Sequence, residues 1–125
     1  MIDIISVHSA VAVAKDTSVL SSAINLTNLS NSAKLFLDLL ITGDGTVTAS
    51  YEVSDTENGT YISPSGATAI VATFTKTSGT SGRDIVKFET LPFINKFMKI
   101  RITETVKSNP VAVTAKLIIW DSNKN

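Results

Sequence analysis

The sequence predicts an all-β fold: an antiparallel β-sandwich, jelly-roll or Ig-like, in a single domain over residues 1–125. Two observations carry this. Apolar residues recur at every second position in short runs broken by turn residues, the pattern of packed sheets and not of βαβ units. Ser and Thr make up about a quarter of the chain, and Thr suits the half-buried surface of a sheet while Ser suits turns. At 125 residues the chain is long enough for one modest core.

The apolar lead Met1-Ile2-Asp3-Ile4-Ile5 reads either as the start of the first strand or as an arm laid on a neighbour. Ser6 to Ala14 alternates, with Val7, Ser9, Val11 and Val13 on one face and His8, Ala10, Ala12 and Ala14 on the other, until Lys15-Asp16-Thr17 ends it. Ser22 to Leu26 is a short second strand with Ile24 and Leu26 on one side, followed by turn chemistry from Asn28 to Ser32. Ala33 to Thr42 is the most apolar segment. It sets Leu35, Leu37, Leu39 and Ile41 on one face, and Phe36 and Leu40 flanking Asp38 on the other. Apolar residues on both faces indicate a central strand or a covered outer face.

Gly43-Asp44-Gly45 predicts a tight turn, because glycine readily accepts positive φ. Thr46 to Ser54 then alternates Val47, Ala49, Tyr51 and Val53 against polar residues, which predicts a hairpin with the preceding strand. Asp55 to Gly59 is a polar loop leading to Tyr61 and Ile62, and Pro64-Ser65-Gly66 breaks the pattern again. Ala67 to Thr75 fits a short helix or a strand. Thr77 to Gly82 is a Ser/Thr/Gly loop, expected to be the most mobile part of the chain, and Ile85 to Glu89 is a short strand. Leu91-Pro92-Phe93 introduces a strand over Phe97 to Glu104, with Met98, Ile100 and Ile102 facing the core. After a turn at Lys107-Ser108-Asn109-Pro110, Val111 to Trp120 closes the chain with Val111, Val113, Ala115, Leu117 and Ile119 on one face.

The composition argues against several function classes. Net charge is zero, and no run of three cations supplies the patch that displaces counterions from phosphates. No apolar stretch approaches the ~18 residues of a membrane-spanning helix. Asp3 stands where a signal peptide would carry positive charge, so synthesis in the cytoplasm is expected. Without cysteine there are no disulfides and no thiol chemistry. The three Asn-x-Ser/Thr sequons, at Asn25, Asn28 and Asn58, fit a chance product of a Ser/Thr/Asn-rich chain.

Catalytic constellations are equally thin. His8 is the only histidine, which excludes a multi-histidine metal site, and it is expected to be a surface or interface imidazole. Asp38 lacks a sequence-local acid to work with. It is expected to pair with Arg101 or Lys99 on a neighbouring strand, or to sit exposed at an edge. Asp55-Thr56-Glu57-Asn58-Gly59 resembles the opening of a calcium loop, but its glycine falls on the fifth position where the motif needs the sixth. Aromatics are 6% of the chain, too few for a stacking platform, and Trp120 is the one expected to be partly exposed. No catalytic, cofactor or metal residue is assigned, and the chain is read as not an enzyme.

Four stretches form a run with a family likeness: Leu35 to Ile41, Thr42-Gly43-Asp44-Gly45-Thr46-Val47, Ser50-Tyr51-Glu52-Val53-Ser54 and Gly59-Thr60-Tyr61-Ile62-Ser63-Pro64. Asp84 to Phe88, Pro92, Met98 to Thr105 and Val111 to Ile119 extend it. The run resembles small β-sandwich virion structural proteins of tailed phages and prophages, of the capsid decoration and head-fibre type. Discoidin-like carbohydrate-binding sandwiches share similar hairpins, although they usually carry Asp-Gly and then Trp where this chain has Asn58-Gly59 and Tyr61. The resemblance implies a virion component, made in the host cytoplasm, acting in viral assembly by protein-protein docking. Its implied partners are the major capsid or other virion proteins, with homo-oligomers on the particle, no cofactor, no nucleic acid and no membrane. A glycan-binding or adhesion module is the alternative. The candidate interface residues are Phe36, Leu40, Ile2, Ile4 and Ile5.

Overall fold

The computed structural model describes residues 2–13, 17–30, 33–42, 45–64, 71–76, 81–88, 96–104 and 111–121. Among them every regular element is a strand: β1 (Ile2–Val13), β2 (Thr17–Leu20), β3 (Ile24–Asn25), β4 (Lys34–Thr42), β5 (Gly45–Ser54), β6 (Val71–Lys76), β7 (Ser81–Phe88), β8 (Phe97–Glu104) and β9 (Val111–Trp120). They form two sheets. The first runs β1-β9-β4-β7 and the second β2-β8-β5-β6, with β3 also pairing β8, and the pairings are antiparallel. This strand order, with the chain passing back and forth between a four-stranded and a five-stranded layer, is a jelly roll.

The inner faces follow the sequence period. Leu35, Leu37, Leu39 and Ile41 of β4 and Val113, Ala115, Leu117 and Ile119 of β9 meet Val47, Ala49, Tyr51 and Val53 of β5 and Met98, Ile100 and Ile102 of β8. Tyr51 and Phe88 bridge the two sheets, with ring centroids 6.2 Å apart. Such interleaved side chains are the usual filling of a sandwich.

Several expectations need correction. β4 and β5 do not form a hairpin: β4 pairs β7 and β9, whereas β5 pairs β6 and β8. The two strands instead face each other across the core, so that both apolar stripes are buried at once. The Ser22 to Leu26 strand shortens to Ile24–Asn25, and an unforeseen strand, Thr17–Leu20, precedes it. Between them the Ser21 backbone N–H donates to the Ile100 carbonyl at 2.9 Å, and the Ser21 hydroxyl accepts from the Ile100 N–H at 2.9 Å, which carries the pairing with β8 across the break. Within Ala67 to Thr75, the described part is strand β6; residues 67–70 lie outside the described residues. The 77–82 loop is shorter than expected, because Ser81 and Gly82 open β7, and residues 77–80 lie outside the described residues. So do Gly43 and Asp44, Leu91 to Phe93 and Lys107 to Pro110.

His8 is corrected too. Register shifts flank it in the β1–β9 ladder, and Ala10 adopts φ 47°, in the left-handed region. An extra residue in one strand flips the side chains beyond it to the other face. His8 therefore turns inward, is 4% exposed, and its Nε2 lies 3.2 Å from the Ile100 carbonyl oxygen of the opposite sheet.

Candidate functional site

Among the described residues, the outer face of the first sheet holds most of the exposed large apolar side chains: Ile2, Ile4, Leu40, Ile85 and Trp120. Cross-strand partners in a ladder point to the same side of a sheet. Ile2 lies opposite Trp120, which lies opposite Lys34; Ile4 lies opposite Ile118, which lies opposite Phe36. Asp38 lies opposite Ile85, and Leu40 opposite Arg83. Ile2 is 67% exposed and Ile4 61%, while Ile85, Leu40 and Trp120 are also exposed and Phe36 and Ile118 half-buried.

Four of the expected interface residues, Phe36, Leu40, Ile2 and Ile4, therefore share one surface. Ile5 does not: it points the other way and packs against the core. The sequence reading missed Ile85 and Ile118. Both were legible from parity, since Ile85 alternates with the inward Val86 and Ile118 with the inward Leu117 and Ile119.

An ion pair and the exposed Lys34, Lys87 and Lys116 interrupt the apolar surface. Arg83 Nε donates to Asp38 Oδ1 at 2.8 Å and Arg83 Nη2 to Asp38 Oδ2 at 2.6 Å, a bidentate fork. These bonds hold the Asp38 carboxyl below its ordinary value, against the opposing effect of its burial. The expected partners, Arg101 and Lys99, belong to the other sheet; Arg101 binds Glu52 at 2.7 Å there. Asp38 is thus neither exposed at an edge nor paired as expected, because β4 is an interior strand and β7 brings Arg83 to it. Around the pair lies an open depression of about 200 Å³ lined by Asp38, Leu40, Arg83, Thr114 and Lys116.

The indole of Trp120 has the Lys34 ammonium 4.8 Å from its centroid, a cation–π contact that occupies one ring face. On the second sheet the outer face is largely polar among the described residues, with Ser18, Thr48, Ser50, Glu52, Lys99, Arg101 and Thr103 beside Leu20 and Phe97. Two buried acids serve the fold. Glu104 Oε1 accepts from the Thr46 N–H at 3.3 Å, and Asp121 accepts from the Ser30 N–H and hydroxyl at 2.9 and 2.6 Å. The inward turn of Glu104 was readable from its parity with Met98, Ile100 and Ile102. Among the described residues no group of three or more His, Cys, Asp or Glu could hold a metal ion.

No family model matches the chain, and no curated protein matches it in sequence. Solved structures do match. In the structure of infectious bursal disease virus Gx strain, one chain aligns with a TM-score of 0.65 at 14% identity, over 100% of this chain and 33% of that one. The VP2 subviral particle of the same virus gives 0.67 at 12% identity, over 95% and 32%. The T=1 particles derived from that virus give 0.67 at 12% identity, over 95% and 31%. The shared property is the fold. This chain spans about a third of the length of the solved chains it matches.

Proposed function

We propose that this chain is a structural protein of a virus particle, a single domain over residues 1–125, and that it docks on other protein subunits through the outer face of its first sheet. The observation that carries the reading is that face: Ile2, Ile4, Phe36, Leu40, Ile85 and Ile118 form an apolar surface that the sandwich does not cover. Contiguous exposed apolar patches mark interaction surfaces, since water-facing hydrocarbon is stabilised when a partner removes it from solvent. The jelly roll shared with viral particle proteins supports the setting, because that architecture recurs in capsid domains. The sequence resemblance supports the finer form, an auxiliary or decoration protein on the head of a tailed phage, bound to the major capsid protein.

Jelly rolls also occur among lectins. An aromatic sugar platform has little support here, since the exposed indole of Trp120 already carries Lys34 on one face.

The test is attachment to assembled particles of the source virus prepared without this protein. Phe36→Asp and Leu40→Asp each place a carboxylate on the docking face while leaving the inner face intact. Both variants are expected to keep the wild-type melting temperature to within a few degrees and to lose sedimentation with particles. Binding of both at wild-type level would refute the assignment of this face. Capture of the wild-type chain by immobilised glycans, unaffected by either substitution, would favour the adhesion reading instead.

A further inference from the structure

We propose that the Ile2–Ser6 stretch of β1 pairs with the same stretch of a second copy of this chain, antiparallel about a two-fold axis, joining two four-stranded sheets into one of eight strands. The inference does not depend on the virus-particle reading, since the free chain carries the same edge.

β1 is the outermost strand of its sheet, and among the described residues no strand pairs with its side away from β9. Ile2 to Ser6 pairs with Trp120 to Lys116 without a register shift, so this stretch is regular. A regular edge strand presents a row of backbone N–H and C=O groups to any strand that can reach it. Natural edges are usually guarded by bulges or charges. Beyond Ser6, β1 is guarded in this way, by the shifts around His8 and the left-handed Ala10. The opposite edge of the sheet, β7, carries the exposed charges of Arg83, Asp84 and Lys87. Ile2 to Ser6 has neither protection except Asp3, and it exposes Ile2 and Ile4 at 67% and 61%.

The stretch is also self-complementary in one register. A two-fold axis at Ile4 sets Ile4 opposite Ile4 of the second copy, Ile2 opposite Ser6, and Asp3 opposite Ile5, with no like charges face to face. An axis at Asp3 would set two carboxylates directly opposite, which is destabilising. An axis at Ile5 would carry the pairing to Val7, inside the bulge. The Ile4 register also runs the row of Ile4, Ile118 and Phe36 in one copy straight into the same row of the other, so the two apolar faces become continuous. A closed two-fold contact of this kind uses the same patch on both subunits and stops at two.

The chain contains no cysteine, so a single introduced cysteine can only form an intermolecular disulfide. Directly opposed residues in an antiparallel pair lie about 4.5–5.5 Å apart at Cα, within the range that a disulfide spans. Under mild oxidation, Ile4→Cys is expected to form a covalent dimer rapidly. Ile2→Cys and Ser6→Cys are expected to stay largely monomeric alone and to cross-link when mixed. Sedimentation should show a concentration-dependent dimer of the wild-type chain, abolished by Ile4→Lys, with the far-ultraviolet circular dichroism and melting curve of the variant unchanged. A wild-type chain that stays monomeric throughout a concentration series would overturn the proposal. So would equal cross-linking at positions 2, 4 and 6, or a dimer that survives Ile4→Lys. Loss of particle attachment by Leu40→Asp with this dimer intact would separate the two surfaces.

Discussion

At His8 the physics of burial meets a titratable ring. Its Nε2–H donates to a carbonyl that also accepts the Ser21 N–H, so the neutral imidazole is satisfied inside the sandwich. Burial lowers the His8 pKa from 6.5, with the Ile100 hydrogen bond opposing. The unfolded chain then binds the proton more readily than the folded one. Stability is complete above pH 6.5 and is lost as pH falls from there through the lower folded-state value. Asp38 acts in a separate window: its carboxyl is held below 3.8 by Arg83, so its contribution is present above pH 3.8 and disappears only below it. His8→Gln keeps an amide donor and removes the titration. The melting-temperature drop between pH 7 and pH 5 is expected to shrink in this variant, and an undiminished drop would mean that another group is responsible. Nothing in the alternating pattern around Val7 announces this site, because two register shifts in one strand are set by tertiary packing and leave no local signal in a run of Val, Ser and Ala.

For strands β4, β5, β8 and β9, alternation told which side of each element faces inward. Val47, Tyr51, Val53, Ile100, Ile102, Val113 and Leu117, all expected in the core, are buried. Truncating Leu37 or Ile100 to Ala is expected to cost about 2–5 kcal/mol, from lost transfer energy and the cavity left behind. Phe36→Ala, on the outer side of the same strand as Leu37, should cost roughly 1 kcal/mol or less. Denaturant titration of the three variants checks this, and equal losses would show that the faces are misassigned. What alternation cannot supply is the neighbour. β4 and β5 have matching apolar stripes whether they pair edge to edge or stack face to face, and the short Gly43-Asp44-Gly45 connection looks the same in both cases. The choice is made by β9 and β8, far along the chain, which insert beside β4 and β5 respectively. The outer apolar cluster was legible for the same reason as the core: Phe36 and Leu40 stand out as apolar residues on the wrong parity. Ile2 and Ile4 joining them required the pairing of β1 with β9, which no local feature encodes.

Over the whole molecule the two outer faces differ: the first sets an apolar cluster among Lys34, Lys87, Lys116 and the Asp38–Arg83 pair, and the second, among the described residues, is largely hydroxyl and charge. With a net charge of zero there is no net monopole to steer the chain toward a partner. The Asp38–Arg83 pair in the middle of the apolar face is already satisfied within the chain, so docking need not break it or find it a counter-charge. Attachment through this face should therefore draw on removal of hydrocarbon from water, which salt does not screen, and little on charge attraction, which salt weakens beyond a Debye length of about 10 Å at 0.1 M. Affinity for particles is expected to change by less than about threefold as sodium chloride rises through the range in which charge-driven complexes lose orders of magnitude. Replacing chloride with sulfate should tighten it, because excluded kosmotropic salts favour apolar burial. Steep weakening with sodium chloride would instead assign attachment to charge, either on the polar sheet around Lys99 and Arg101 or at Lys34, Lys87 and Lys116 of this face. Wild-type binding by Phe36→Asp and Leu40→Asp, which leave the polar sheet untouched, would decide for that sheet.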